Sequence, residues 1–180
     1  MDAIWFILAA LMAVGIPAGL LFLDHYRKLR GARIVTCPET RRPVTVNVNA
    51  ARGAARALAG GTEIDLRECT RWPERQDCGQ ECLLEVHAEG PACLVQNIVR
   101  KNYDGRECVY CGRLFRDLHP LDHPPGLRIP GALPIQWSSM RPEELPEAFE
   151  THDLVCWDCL IAESFRIDHP DLVTERPIQK

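Results

Sequence analysis

Hydrophobic positions follow two regimes along this chain. From Ala3 to Leu23, 21 consecutive residues carry no charge. At about 1.5 Å per helical residue they span roughly 30 Å, the thickness of a bilayer core, and predict a transmembrane helix. A signal peptide would want a basic start, a shorter apolar run and a small-residue cleavage site. Here the start is Met1-Asp2 and the run is long. Trp5 and Tyr26 lie near the two ends, where amphipathic rings favour the interface. Pro17 sits within the span, a position that lipid-embedded helices tolerate.

Beyond Leu23 the pattern breaks into short segments. Ile34-Val35-Thr36 and the alternating Val44-Thr45-Val46-Asn47-Val48 predict two strands, with a turn at residues 38–43. Asn49 is placed to cap a helix over 50–59, which Gly60-Gly61 would end. Ile64-Asp65-Leu66 alternates again and leads to Cys69. Helices are predicted over 78–87 and 92–103, each closed by a glycine. A tight turn at 108–112, a loop over 119–134 holding five prolines, a strand at 135–137 and a helical turn at 143–149 follow. The last clear helix runs from Cys156 to Ile167, before His169-Pro170. The expected fold class is α+β: one N-terminal membrane helix followed by small metal-stabilised modules. The boundaries read as 3–23 for the span, 24–33 for a basic juxtamembrane segment, 34–105 and 106–169 for two cysteine-bearing modules, and 170–180 for a tail.

Charge orients this plan. Residues 24–56 hold eight Lys and Arg against Asp24 and Glu39, a net of +6; residues 57–180 hold 13 against 22 acidic residues, a net of −9. Arg27, Lys28, Arg30 and Arg33 directly follow the span, so the positive-inside rule puts the C-terminal region in the cytoplasm. The basic segment can meet anionic headgroups. The acidic remainder repels phosphate and disfavours nucleic acid as a partner.

Of the 180 residues, nine are cysteine, and none lies in the span. Cys108-x-x-Cys111 and Cys156-x-x-Cys159 are two chelating pairs separated by 44 residues. Together they supply the four thiolates that structural zinc prefers. Gly112 follows the first pair, where a knuckle must turn sharply, and the second pair opens a helix, whose free N–H groups favour thiolate. A knuckle followed by a helix-borne pair resembles the treble-clef and zinc-ribbon-like zinc fingers over residues 106–169. The resemblance implies a structural zinc at those four cysteines. Rubredoxin-like iron also uses two such pairs, but its second is normally followed by glycine, and Leu160 stands here. Covalent haem needs a histidine after the pair; Gly112 and Leu160 exclude it. Redox use of either pair is the further alternative.

Cys37, Cys69, Cys78, Cys82 and Cys93 remain. On a helix Cys78 and Cys82, four apart, would share a face. With Cys37 in a turn and Cys69 at a strand end they make a second candidate site, for zinc or, alternatively, for iron or an iron–sulfur cluster, although the spacing matches no cluster run. Cys93 sits among Leu94, Val95 and Ile98 and reads as a buried thiol. His119, Asp122 and His123 form a weaker candidate in the proline-rich loop, and Ser138-Ser139 lacks any nucleophile context. No phosphate loop or dinucleotide fingerprint occurs, so no catalytic residue is assigned.

The phrases Val35-Thr36-Cys37-Pro38-Glu39-Thr40, Arg71-Trp72-Pro73-Glu74-Arg75 and Val155-Cys156-Trp157-Asp158-Cys159 resemble those of uncharacterised bacterial cysteine-rich proteins. The resemblance implies no activity. The expectation is a non-enzymatic accessory or scaffold protein of the bacterial inner membrane, its C-terminal region cytoplasmic, holding two zinc ions and docking on a larger complex or protein partner. Electron transfer and thiol redox sensing are the alternatives.

Overall fold

The computed structural model describes residues 2–75, 77–116, 118, 122–129 and 131–172. Helix and sheet are mixed, and the chain divides into two compact units, Met1–Leu94 and Val95–Lys180.

The first unit opens with α1 (Asp2–Leu29), a helix running past the uncharged stretch by two further turns. Its segment Ile4–Leu29 is long and apolar enough to cross a membrane, with a mean hydropathy of 2.5 and none of its apolar window buried. The helix ends on a specific device. Arg33 folds back so that Nη1 donates to the carbonyls of Leu29 (2.7 Å) and Gly31 (3.2 Å), and Nη2 to that of Lys28 (2.9 Å). These include carbonyls that a helix end leaves without partners. Arg33 is only 2% exposed, so this member of the basic flank is a helix cap rather than a free surface charge.

Strands β1 (Ala32–Thr36), β2 (Pro43–Val48) and β3 (Leu66–Cys69) form an antiparallel sheet in the order β1-β2-β3. Thr36 lies opposite Pro43 and Cys69 opposite Val46, so β1 and β3 both finish toward the end of the sheet where β2 begins. Between β2 and β3 runs α2 (Ala50–Leu58), where the Asn49 side chain accepts from the Arg52 N–H at 3.1 Å. Asp65 pairs with Arg52 and Arg56 and ties the helix to the approach to β3. The core gathers Val35, Val44, Val46, Val48, Leu66, Cys82, Val86 and Cys93, with Trp72 packed against it.

Helix α3 (Leu83–Glu89) starts later than the sequence pattern predicts. Cys82 is its cap and Cys78 lies in the irregular stretch before it, so the two do not share a helical face. The reason is local: Gln80 adopts a left-handed conformation (φ 54°), and its side chain accepts from the Leu66 N–H at 3.1 Å. The helix therefore cannot extend back to Cys78. Glu85 on α3 accepts from the Thr36 N–H at 2.8 Å and holds the helix to β1.

The second unit begins with α4 (Val95–Tyr103). The sequence pattern assigns this helix to the first module, drawn to residue 105; the contacts divide the chain after Leu94. Tyr103 explains the allegiance. It is fully buried, its ring meets Phe115 and Phe149 edge-on at 4.9 and 5.8 Å, and its hydroxyl donates to the Gly126 carbonyl at 2.7 Å.

The proline-rich stretch is not one loop. Strand β4 (Gly126–Arg128) lies inside it and is the centre of a second antiparallel sheet, flanked by β5 (Ile135–Gln136) and β6 (Asp153–Val155). Short 3₁₀ turns and α5 (Leu145–Thr151) connect β5 to β6. Helix α6 (Trp157–Asp168) follows β6 directly, with Cys156 as its cap.

Candidate metal centre

Two turns bring four thiols together. The first is the knuckle over 108–113. Cys108 N–H donates to the Arg113 carbonyl at 2.9 Å, and Gly112 N–H returns to the Cys108 carbonyl at 2.8 Å. Gly112 sits at φ 68°, a conformation that a side chain disfavours. A bridge between Glu107 and Leu114 closes the base of the turn. The second is the β6-to-α6 junction, which places Cys156 at the cap and Cys159 in the first turn. Val109 N–H donates to the Leu154 carbonyl at 3.0 Å, and Arg113 pairs with Asp158, so the knuckle is pinned to the junction from both sides.

The sulfurs of Cys108, Cys111, Cys156 and Cys159 all lie within 4.8 Å of one another, and Cys111 and Cys156 are 3.7 Å apart. Bonds of about 2.3 Å in a tetrahedron put sulfurs about 3.8 Å apart, so the group has the size of a single-ion site. Cys108 and Cys156 are buried, Cys159 is half-buried and Cys111 is exposed. The group can hold a metal and is compatible with a zinc-finger-like site.

Electrostatics within the group are uneven. Burial pushes the Cys108 thiol up, but the backbone N–H groups of Cys156, Cys111 and Tyr110 more than offset it and bring it to about 7. Cys156 N–H is 3.3 Å from the Cys108 sulfur. Burial raises both Cys156 and Cys159; at Cys156 hydrogen bonds from Cys159 oppose the rise and Cys108 adds to it, while at Cys159 the thiols of Cys156, Cys111 and Cys108 all add to it. A divalent ion relieves that mutual repulsion by binding all four as thiolates. Arg113 opposes the negative charge and is held protonated by Asp158, Cys156 and Cys111. Arg128 pairs with Asp153 at 2.5 Å and lies 4.9 Å over the ring of Tyr110 in the knuckle.

Cys37, Cys69, Cys78 and Cys82 line one cavity of about 120 Å³ in the first unit, together with Arg71 and Trp72. Among the described residues, they do not gather into a group that could hold a metal as drawn, as the other four do. Burial, then the charges of Cys69, Cys78 and Cys37, push the Cys82 thiol up to about 11. Cys37 is shifted the other way. Burial raises it, but the N–H groups of Thr40 and Glu39, the Thr40 hydroxyl and Arg71 together lower it. Cys93 does not line this cavity; it is buried, and its thiol donates to the Gly90 carbonyl at 3.2 Å.

His119 lies outside the described residues, and His123 stacks flat on Trp157 at 4.7 Å. Ser139 donates to the Gln136 carbonyl at 2.7 Å, a local turn bond rather than a nucleophile's contact. Sequence reasoning missed Arg113 as a neighbour of the centre; the signal available was the Arg after Gly112, opposite the Asp between Cys156 and Cys159. No family model, curated protein or solved structure matches the chain.

Proposed function

We propose that this is a membrane-anchored, non-catalytic accessory or scaffold protein whose second unit is built on a treble-clef-like zinc centre at Cys108, Cys111, Cys156 and Cys159. The observation that carries the reading is the closure of four cysteine sulfurs to the size of a tetrahedral site. Four thiolates fill the coordination sphere of zinc and leave no position for an activated water, so such an ion acts as a fold-holder. α1 serves as the single membrane span, and Arg27, Lys28 and Arg30 on its C-terminal side favour a cytoplasmic location for both units. The acidic composition beyond residue 57 suits a protein partner and argues against nucleic acid.

Three measurements on the full-length protein test the reading. Metal analysis without added metal should find zinc that is lost, with unfolding of residues 95–172, in Cys108→Ser. Protease added to inside-out membrane vesicles should digest the units, and protease added outside intact spheroplasts should not. In-membrane crosslinking should place the chain in a species larger than itself. A metal-free folded chain, digestion from the outer face, or a monomer under every crosslinking condition each overturns the part it addresses.

A further inference from the structure

The turn that carries Cys37 repeats, bond for bond, the turn that carries Cys108. In each, the cysteine N–H donates to the carbonyl five residues on: Cys37 to Arg42 and Cys108 to Arg113, both at 2.9 Å. In each, the N–H four residues on returns to the cysteine carbonyl: Arg41 to Cys37 at 2.7 Å and Gly112 to Cys108 at 2.8 Å. That fourth residue is left-handed in both, with φ 54° at Arg41 and 68° at Gly112. In each, the N–H groups two and three residues on point at the sulfur: those of Glu39 and Thr40 at Cys37, those of Tyr110 and Cys111 at Cys108. A turn of this kind presents its cysteine sulfur as a hydrogen-bonded thiolate ligand. Arg41 holds a conformation that side chains disfavour, so the surrounding bonds, not the residue, impose the knuckle. The position of Cys111 is taken here by Thr40, so the remaining ligands must come from elsewhere in the fold.

The sheet and α3 supply them. Cys37 follows β1 and Cys69 ends β3, and both strands finish toward the same end of the sheet. Cys78 in the irregular stretch before α3 and Cys82 at its cap join them, and all four line the cavity. Two further donors stand in its wall. Arg71 Nη1 is 3.1 Å from the Cys37 sulfur, and the buried Trp72 indole N–H has no hydrogen-bond partner among the described residues.

We propose that Cys37, Cys69, Cys78 and Cys82 hold a second zinc ion, which joins the end of the sheet to the start of α3. The Cys37 knuckle is already formed; ion binding draws the other three sulfurs to tetrahedral spacing around it. Arg71 supplies a charge-assisted N–H to a ligand sulfur, as outer-shell donors do at thiolate centres.

Cobalt tests this in the full chain in mild detergent, stripped of metal and titrated with Co²⁺. Thiolate-to-cobalt charge-transfer bands and tetrahedral d–d bands should saturate at two equivalents per chain. Cys78→Ser/Cys82→Ser should keep one equivalent, and Cys108→Ser/Cys111→Ser should keep the other. Saturation at one equivalent, abolished by the Cys108/Cys111 change alone, overturns the second centre and leaves the first standing. Since loss of two thiols beside a core can unfold the unit, the unaltered protein is also alkylated with and without chelator and read by peptide mass. Protection of Cys37, Cys69, Cys78 and Cys82 that chelator removes supports the centre; equal labelling overturns it. Iron with acid-labile sulfide in the purified protein overturns the zinc assignment.

Discussion

Replacing Tyr103 with Phe removes one oxygen from the core of the second unit and nothing else of its size. The ring stays between Phe115 and Phe149, so both edge-on contacts survive. The loss is the bond to Gly126 at 2.7 Å, in a place with no exposure to water. The Gly126 carbonyl sits on the central strand, and an acceptor stranded there costs more than an average hydrogen bond: about 1–2 kcal/mol. For a unit of this size each kcal/mol moves the melting midpoint by about 4–8 °C, so Tyr103→Phe should lower it by about 5–15 °C. Tyr103→Ala, which also empties the ring's volume, should cost about 3–5 kcal/mol. Thermal unfolding in detergent gives the midpoint, and hydrogen exchange of peptides spanning 126–136 and 153–160 assigns it to this unit. If Tyr103→Phe melts within about 2 °C of the parent while Tyr103→Ala is severe, the ring alone holds the core and the hydrogen-bond reasoning is wrong.

Gly126→Ala should destabilise the same unit by about 1–3 kcal/mol. Its new methyl would meet Leu160 Cδ1 at 2.7 Å and the Ile135 carbonyl oxygen at 2.9 Å, and only the side chain can yield; a chemical denaturation midpoint reads the cost. Arg41→Gly should stabilise the first unit by up to about 1 kcal/mol by relieving the left-handed Arg41, without altering its metal content; an unchanged or lower midpoint contradicts this. Arg33→Met should cost the first unit about 2–3 kcal/mol, because it leaves the carbonyls of Lys28, Leu29 and Gly31 without their buried donor. Faster hydrogen exchange over residues 28–34 is the local sign.

The parts of this fold legible in sequence are those with a long or repeated signal. Twenty-one uncharged residues announced α1, the Val alternation announced β2, and Asn49 announced the start of α2. The pairs at 108/111 and 156/159 pointed to one group because two-residue spacing allows chelation whatever the connecting chain does. Strand β4 was illegible: three residues are too few to show a period, and prolines at 124, 125 and 130 mask it. The Cys78–Cys82 spacing suggested a helix, but tertiary bonds to Gln80 override the local pattern. The allegiance of α4 was equally hidden, since it depends on where Tyr103 finds Phe115, Phe149 and Gly126. The turn after Cys37 was legible, but its knuckle form was not, because Arg41 stands where a glycine would have advertised the left-handed position.

The order of the eight candidate ligand cysteines along the chain sets a timetable for synthesis. Cys37, Cys69, Cys78 and Cys82 are all present once residue 82 emerges. The Cys108–Cys111 knuckle then waits for the helix-borne pair while 44 more residues are added, roughly 2–9 s at ribosomal rates of about 5–20 residues per second. During that interval two closely spaced thiols stand ready to capture metal or oxidant. The cysteines of the first unit are therefore complete early, and the second unit passes through a nascent stage in which half of its candidate ligand set stands without the other half.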